Sequence, residues 1–336
     1  MGRVSEEHMP AGGFPTNAAG DVKGLAAMLR RVLGEARVRE RVALAPWTTF
    51  RVGGPADVVF EPENLDELRL ALAEAKRCGV PVAILGGGSN ILIADGGVRG
   101  LVLRLRMRGI RACEPARVRA ESACRLNGVV RWAIAHELGG LERWTGTPGT
   151  VGGAICGNAH FGGRLISDVV DRVELVTPDG ELAVVPNGDM GFAYDRSRVQ
   201  TSGETVVAAV FALSAGESAE TLRRRARESL AIRKRTQPLG APSAGCVFQN
   251  PVRGRDPVPA GVPASAGALI EVAGLKGSRI GGAMVSAVHA NFIVTQPGAC
   301  AADVRALIER CRLGVRQAFG VELREELRYL GEFEGV

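Results

Sequence analysis

The chain has 336 residues, of which 46% are apolar and 23% are charged. This composition is typical of a globular protein and excludes a disordered or fibrous one, and the length suits about two domains. The formal net charge of +6 favours anionic partners such as a phosphorylated small molecule. Only 4% of the residues are aromatic, so we expect no stacking platform for nucleic-acid bases.

The cysteines and the hydropathy of the chain indicate the cellular compartment. The seven cysteines are odd in number and include neither a C-x-x-C pair nor a zinc-ligand spacing, so we expect reduced thiols and no metal. The sequence contains no apolar run long enough to span a membrane and no signal-peptide pattern at its start. We therefore expect a cytoplasmic, monomeric protein that binds neither nucleic acid nor membranes.

The first third of the chain alternates helix and strand patterns, which indicates an α/β arrangement. Asn64 stands where a helix N-cap belongs, with Glu67 three residues later. The predicted elements are a disordered tail (1–20), a helix (22–35), a strand (56–60), a second helix that ends at Gly79, and a buried strand (81–85). This last strand leads directly into a glycine triplet.

The rest of the chain continues this mixture. A second glycine cluster occupies 146–153, and a basic helix capped by Ser218 follows the strand-rich middle. The predicted elements are strands at 101–105 and 117–121, a helix at 127–138, a hairpin at 172–177 and 181–185, a strand at 205–213, helices at 265–273 and 303–319, and strands at 291–295 and 326–330. We place a domain boundary near residue 215, with lobes at 21–105 and 106–215 and a last domain at 216–336.

The glycine clusters predict an anion-binding site. Consecutive glycines after a strand expose backbone N–H groups with no Cβ in the way, and phosphate is a natural guest for such groups. The triplet at 86–88 matches neither G-x-G-x-x-G before a helix nor a Walker loop, because no lysine follows it. Two such clusters suggest two walls of one pyrophosphate site, although each could also be no more than a tight turn.

Several ordered motifs resemble the UDP-N-acetylenolpyruvoylglucosamine reductase family. They are TFRVGGPA (49–56), GGGSNIL (86–92), GTPGTVGGA (146–154), PSAGCVFQNP (242–251), LIEVAGLKG (269–277) and HANFIV (289–294). The resemblance implies an α+β fold in which a two-lobed FAD-binding domain, of the type shared with vanillyl-alcohol oxidase, precedes a smaller α+β substrate-binding domain. The segment between Phe161 and Asp195 is too short for an additional tyrosine-bearing loop, which is similar to the subgroup that lacks this loop.

The activity implied by the resemblance is an NADPH-dependent reduction of UDP-N-acetylenolpyruvoylglucosamine to UDP-N-acetylmuramate for peptidoglycan. A hydride would pass through FAD, and an acid would supply a proton. Two alternatives remain open. One is an FAD-dependent oxidase of the same fold, and the other is a non-catalytic binder of flavin or UDP-sugar.

The resemblance also implies three catalytic residues. Cys246 stands where the family usually has serine, and its thiol is a stronger acid than a hydroxyl. Arg196 lies one position after the usual arginine slot, which Asp195 occupies, and Arg198 is its alternative. The predicted catalytic carboxylate is Glu326, while we expect its neighbour Glu325 to be solvated.

The remaining predicted contacts involve the cofactor and the substrate. The cofactor-binding residues implied by the resemblance are Arg51, Gly86, Gly87, Gly88, Ser89, Asn90, Pro148, Gly149, Thr150, Gly152, Gly153 and Asn158. The residues predicted to bind substrate are Arg233, Lys234 and Asn250, although a basic helix is by default a solvated face. We interpret His160, where the family more often has glycine, as a turn residue, and His289 as a structural one.

Overall fold

The structure, a computed structural model, describes residues 20–333, so the predicted tail at 1–20 lies outside the described residues except for Gly20. The first lobe pairs a small sheet with two helices. Its elements are α1 (Val22–Leu33), β1 (Val38–Ala43), β2 (Pro55–Phe60), α2 (Leu65–Arg77), β3 (Val82–Ile84), β4 (Ile91–Ile93) and β5 (Val98–Leu103). The sheet order is β1-β2-β5-β3, with β1 antiparallel to β2 and the other two pairs parallel.

Local signals explain the helices of this lobe. The predicted cap of α2 is confirmed, because the Glu67 N–H donates to Asn64 Oδ1 at 2.9 Å. Apolar residues at helical spacing on α1 and α2, such as Leu25 and Leu68, are fully buried in one core. The packed core of this lobe therefore supports the loop that precedes β4.

The second lobe is built on an antiparallel sheet. Its elements are β6 (Ile110–Glu114), β7 (Arg117–Glu121), α3 (Leu126–Ala135), α4 (Val151–Cys156), β8 (His160–Phe161), β9 (Arg164–Leu165), β10 (Val170–Val176), β11 (Leu182–Pro186) and β12 (Thr205–Ala212). The sheet order is β11-β10-β12-β7-β6. The predicted hairpin is confirmed as β10 and β11, which pair antiparallel. Strand β12 is buried along almost its whole length, as expected for a central strand.

The last strand of the C-terminal part pairs with a strand of the first lobe. Its elements are α5 (Ala219–Thr236), α6 (Ala266–Val272), β13 (Arg279–Ile280), β14 (Ala283–Val285), β15 (Ile293–Thr295), α7 (Ala301–Phe319) and β16 (Arg328–Leu330). Strands β13, β14 and β15 form an antiparallel sheet, whereas β16 pairs in parallel with β4. The last strand therefore lies beside the strand that follows the glycine triplet.

Helix α5 bears on the domain boundary. Its residues Leu222 and Ala226 are buried in the core of the second lobe. The boundary near residue 215 stays a prediction, and this packing favours one closer to the end of α5.

The predicted α+β class is confirmed. Within residues 20–333, no helix is both long enough and apolar enough to cross a membrane.

Candidate active site

The two glycine clusters lie against each other. We define the first glycine loop as residues 86–90 and the second as residues 146–150. A Cβ added to Gly87 would lie 2.5 Å from the Gly149 Cα, and one added to Gly149 would lie 2.6 Å from the Ser89 Oγ. A Cβ on Gly86 would lie 2.9 Å from the Thr150 Oγ1. Glycine is therefore required for this close approach, and the two clusters are in direct contact, while their role as two walls of one pyrophosphate site stays a prediction.

The facing loops expose unused backbone donors. Within residues 20–333, the N–H groups of residues 86–90, Gly149 and Thr150 donate to no protein acceptor. Buried or half-buried N–H groups are nearly always paired, so such a set points to a ligand that accepts hydrogen bonds. The residues present therefore fit an anionic group such as the diphosphate of a dinucleotide.

Other residues predicted to contact the cofactor are placed differently. Gly152 donates its N–H to the Ser122 carbonyl at 2.9 Å, and Gly153 donates to the Thr150 Oγ1 at 3.4 Å. These two N–H groups are already used inside the protein, so they add no free donor to the loops. Arg51 and Pro148 are exposed at the surface.

Asn158, which the resemblance implied as a cofactor contact, has its side chain bonded within the protein. Its side chain is fully buried, with Nδ2 donating to the Ala193 carbonyl at 2.8 Å and Oδ1 accepting from the Ser167 N–H at 3.1 Å. Both ends of the amide are satisfied by protein, so this position does not support a cofactor contact. Asn158 instead holds the segment that begins at Ala193.

That segment, which we call the acidic turn, comprises residues 193–196. Ala193 and Arg196 exchange two backbone hydrogen bonds of 3.1 Å, and Asp195 adopts a φ of +54°, a region that aspartate tolerates. The turn places Asp195 inside, 9% exposed, and leaves Arg196 exposed. Arg198 is engaged by Glu204 through hydrogen bonds of 2.9 and 2.8 Å. The structure thus brings neither predicted arginine to the other catalytic residues.

Asp195 meets two other titratable groups. Side-chain atoms of His160, Asp195 and Glu326 all lie within 4.8 Å of one another. His160 Nδ1 lies 3.2 Å from the Asp195 Oδ1, and His160 Nε2 lies 3.2 Å from the Tyr194 hydroxyl. The interpretation of His160 as a turn residue therefore missed its place in this cluster.

The backbone of Glu326 is hydrogen-bonded to Val247 on one side and to Asn90 on the other. Its N–H donates to the Val247 carbonyl at 2.8 Å, and its carbonyl accepts from the Asn90 Nδ2 at 3.3 Å. The backbone of Glu326 is thus held between the first glycine loop and the segment that carries Cys246. Burial, followed by the nearby Asp195 carboxyl, raises the pKa of Glu326 well above its ordinary value.

Cys246 is half-buried and follows Gly245, whose φ of +85° requires glycine. An isolated antiparallel bridge pairs Cys246 with Phe292. Burial raises the pKa of the Cys246 thiol strongly, and Glu326 and Asp195 add to this effect, whereas the Arg233 cation opposes it. The thiol therefore keeps its proton at neutral pH and is available as an acid.

Arg233 is a buried cation between the two parts of the site. It is 4% exposed, and its Nη2 donates to the Thr147 Oγ1 of the second glycine loop at 2.6 Å. Its guanidinium lies 3.6 Å from the centre of the Phe161 ring. Burial lowers the pKa of Arg233 to about 10, so it remains charged at neutral pH, and its buried Nε has no partner among the described residues.

The remaining predicted residues lie nearer the surface. Lys234 and Asn250 are exposed, and the Asn250 Oδ1 accepts from the Ala266 N–H at 3.1 Å, at the start of α6. The expectation of a solvated Glu325 was wrong, because Arg305 Nη1 donates to it at 2.9 Å and the Tyr329 hydroxyl also bonds to it.

The sequence patterns indicated neither Tyr194 nor Thr147 as a site residue. The only signal for the acidic cluster was that positions 160 and 195 both depart from the family pattern.

Comparison with known proteins agrees with these features. The family described as "FAD binding domain" matches residues 56–185, and the family described as "UDP-N-acetylenolpyruvoylglucosamine reductase, C-terminal domain" matches residues 237–330. The two family matches thus cover the part of the chain that carries both glycine loops and the part that carries Cys246 and Glu326.

Whole-chain relatives carry the same description. A UDP-N-acetylenolpyruvoylglucosamine reductase from Heliobacterium modesticaldum is 40% identical, over 86% of this chain and 89% of the relative. One from Synechococcus sp. (strain JA-3-3Ab) is 41% identical, over 89% and 93%. The crystal structure of the Thermus caldophilus reductase is similar with a TM-score of 0.71 and 34% identity, covering 87% of this chain and 99% of that one. This chain belongs to the UDP-N-acetylenolpyruvoylglucosamine reductase family.

Proposed function

We propose that this chain is an NADPH-dependent flavoenzyme of peptidoglycan synthesis. It reduces the enolpyruvyl group of UDP-N-acetylenolpyruvoylglucosamine and so forms UDP-N-acetylmuramate. The observation that carries the proposal is that Glu326 and Arg233, whose charges both act on Cys246, are bonded to the two glycine loops through Asn90 and Thr147. The relatives at about 40% identity are named for this reaction.

FAD would be held chiefly by backbone N–H groups of the two glycine loops. The donors are those of residues 86–90, Gly149 and Thr150, which have no acceptor within the described part of the chain. FAD bound there would supply the hydride-transfer chemistry that links NADPH to the enolpyruvyl group. Pro148, Arg51, Gly152 and Gly153 line or support the same region, and their contact with the cofactor stays a prediction.

Cys246 would supply the proton that completes the reduction. The S–H bond breaks, the proton moves to the carbon next to the one that receives the hydride, and a thiolate remains. A thiol whose pKa is raised is fully protonated at neutral pH, and it is still a stronger acid than an aliphatic hydroxyl would be in the same position. Glu326 lies beside this thiol and completes the predicted catalytic set.

Negative charge on the substrate requires cations. The substrate carries a diphosphate and a carboxylate, and charge grows on the carboxylate side while the enolpyruvyl group is being reduced. Arg233 is a buried cation whose charge acts on Cys246 and suits this role, with the exposed Lys234 and Asn250 as further predicted contacts. The resemblance implied Arg196 as a catalytic residue, but the fold leaves its side chain exposed, so we propose no catalytic role for it.

Anaerobic titration tests the proposal. The purified protein with FAD is reduced with NADPH in the absence of oxygen, and enolpyruvyl-UDP-N-acetylglucosamine is then added. We expect the flavin absorbance to return with equimolar formation of UDP-N-acetylmuramate. Reoxidation by oxygen alone would indicate an oxidase, and a flavin that NADPH does not reduce would indicate a binder without this activity.

We also propose a cytoplasmic location and a monomeric state. The seven cysteines are all free, which suits a reducing compartment. Size-exclusion chromatography with light scattering measures the oligomeric state directly.

A further inference from the structure

Two carboxyl groups of the site face each other without a hydrogen-bond donor between them. Asp195 Oδ2 and Glu326 Oε2 are both buried, and neither has a hydrogen-bond partner within residues 20–333. The carboxyl oxygens lie within 4.8 Å of each other. We call Asp195 and Glu326 the carboxyl pair.

Two buried carboxylates at this separation cannot both stay ionised at modest cost. Like charges disfavour each other, and burial adds a desolvation penalty, so one proton is normally retained by such a pair. A proton on Glu326 would also give the two unpartnered oxygens a hydrogen bond to share. The arrangement is therefore satisfied by a single proton.

The two members of the pair are held differently by their neighbours. His160 Nδ1 contacts Asp195 Oδ1 at 3.2 Å, and the Asp195 carbonyl accepts from the Gln200 Nε2 at 2.8 Å and from the Arg328 Nη2 at 3.5 Å. These contacts hold Asp195 in place beside Glu326. Glu326 has no such partner for its carboxyl.

Tyr194 and Cys246 are the titratable groups that face the pair, and the charge of Arg233 acts on Cys246. Burial, followed by Glu326, Asp195 and Cys246, raises the pKa of Tyr194, so its phenol stays neutral. Cys246 stays a thiol in the resting site for the reason given above. Arg233 is a fixed cation at neutral pH. None of these three groups removes the proton from Glu326.

We propose that Asp195 and Glu326 share one proton at neutral pH and that this proton returns to Cys246 after each turnover, with His160 positioning Asp195. This inference rests on the proposed function, because it concerns the thiolate left by the reduction. The Glu326 O–H bond breaks, a new S–H bond forms on Cys246, and the pair is briefly doubly ionised. A proton from solvent then restores it, and His160, whose side chain is 24% exposed, lies on the solvent side.

Infrared spectroscopy of the full-length protein with FAD tests the proton directly. We expect the C=O stretch of a protonated carboxylic acid at pH 7, and we expect Glu326→Gln to lose it. In Asp195→Asn the band should disappear at a lower pH than in the unmodified protein, because removal of the neighbouring negative charge lowers the pKa of Glu326 while its burial remains. Asparagine tolerates the positive φ of position 195, so this variant should fold.

The pH profile of product formation provides the second readout. Activity that needs a protonated Glu326 falls as the pH rises through the pKa of the pair. In Asp195→Asn this fall should move to lower pH by at least about one unit, while flavin reduction by NADPH keeps its rate. The matched control is Asp179→Asn, which removes a carboxylate that is 71% exposed and should leave both the band and the profile unchanged.

Each result bears on the proposal. A wild-type protein without the carboxylic acid band, or an Asp195→Asn profile that does not move, would overturn it. A band that appears only after dialysis against EDTA would also overturn it, because a bound cation would then neutralise the pair. The band is measured without substrate, so a protein that shows it but does not reduce the enolpyruvyl substrate contradicts only the proposed function.

Discussion

The glycine loops and the carboxyl pair differ in how they interact with charge. The loops offer uncharged N–H groups fixed by backbone packing, so their effect does not depend on pH. The carboxyl pair places ionisable side chains in a buried site, where small changes in charge alter which group holds a proton. A methyl group should therefore damage the first region, whereas a change of charge at constant size should damage the second.

The largest effect is expected when Cys246, the proton donor that the carboxyl pair would reprotonate, is removed. In Cys246→Ala, product formation should fall by about 10² to 10⁴, the usual contribution of a positioned acid. Flavin reduction by NADPH should keep its rate, because that half-reaction needs no proton from this thiol. Stopped-flow spectroscopy measures both half-reactions separately.

Cys113→Ala is the control for this substitution, since Cys113 is a half-buried cysteine on the edge strand β6. It should change neither half-reaction. Equal loss in both half-reactions of Cys246→Ala would contradict the assignment of Cys246 as the acid.

A methyl group in the first region is expected to have the next largest effect. In Gly87→Ala, the new Cβ would lie 2.5 Å from the Gly149 Cα, so the loops must separate at a cost of about 1–3 kcal/mol. The Kd for FAD should rise by up to about 100-fold, with no change in its pH dependence. Titration of the FAD-free protein followed by flavin fluorescence measures this.

Gly96→Ala is the matched control, because a Cβ there meets nothing within 4 Å. FAD binding in this variant should equal that of the unmodified protein. If Gly87→Ala binds FAD as tightly as Gly96→Ala does, the two loops do not form the cofactor site.

Arg233 joins the two regions, so its substitution sharpens the comparison. Arg233→Gln should raise the KM for the enolpyruvyl substrate by about 10-fold, because a buried charge-assisted contact is lost. The same change removes the cation that lowers the pKa of Cys246. Arg235→Gln, which changes an exposed residue of the same helix, should leave KM within about twofold. A similar KM in both variants would show that Arg233 has only a structural role.

Sequence patterns predicted those features that depend on local chemistry. The helix cap at Asn64 and the two glycine clusters carry their own signals, because an N-cap needs an acceptor and close approach of backbones needs glycine. Strand β1 was missed, because it is a half-paired edge strand whose residues 39–41 are charged and exposed. Such a strand lacks the alternation of apolar residues on which a prediction depends.

The carboxyl pair could not be predicted from local patterns. Asp195 and Glu326 are far apart in the chain, and they meet only because β16 pairs with β4 and Asn158 holds the acidic turn. Which of two adjacent residues points inward depends on one positive φ at Asp195. The family pattern suggested that Arg196 would enter the site, whereas the turn places the carboxylate there.

The smallest effect is therefore expected at Arg196. In Arg196→Gln, kcat and KM should stay within about threefold of the unmodified values, because the guanidinium is exposed and an exposed charge contributes little. Steady-state kinetics at several salt concentrations measure this. A loss of about 100-fold in kcat would instead mean that the acidic turn reverses during catalysis and brings the arginine inward. In that case Asp195→Asn, which removes the inward carboxylate, should increase activity rather than shift its pH profile, so the two variants together decide which residue of the turn serves the reaction.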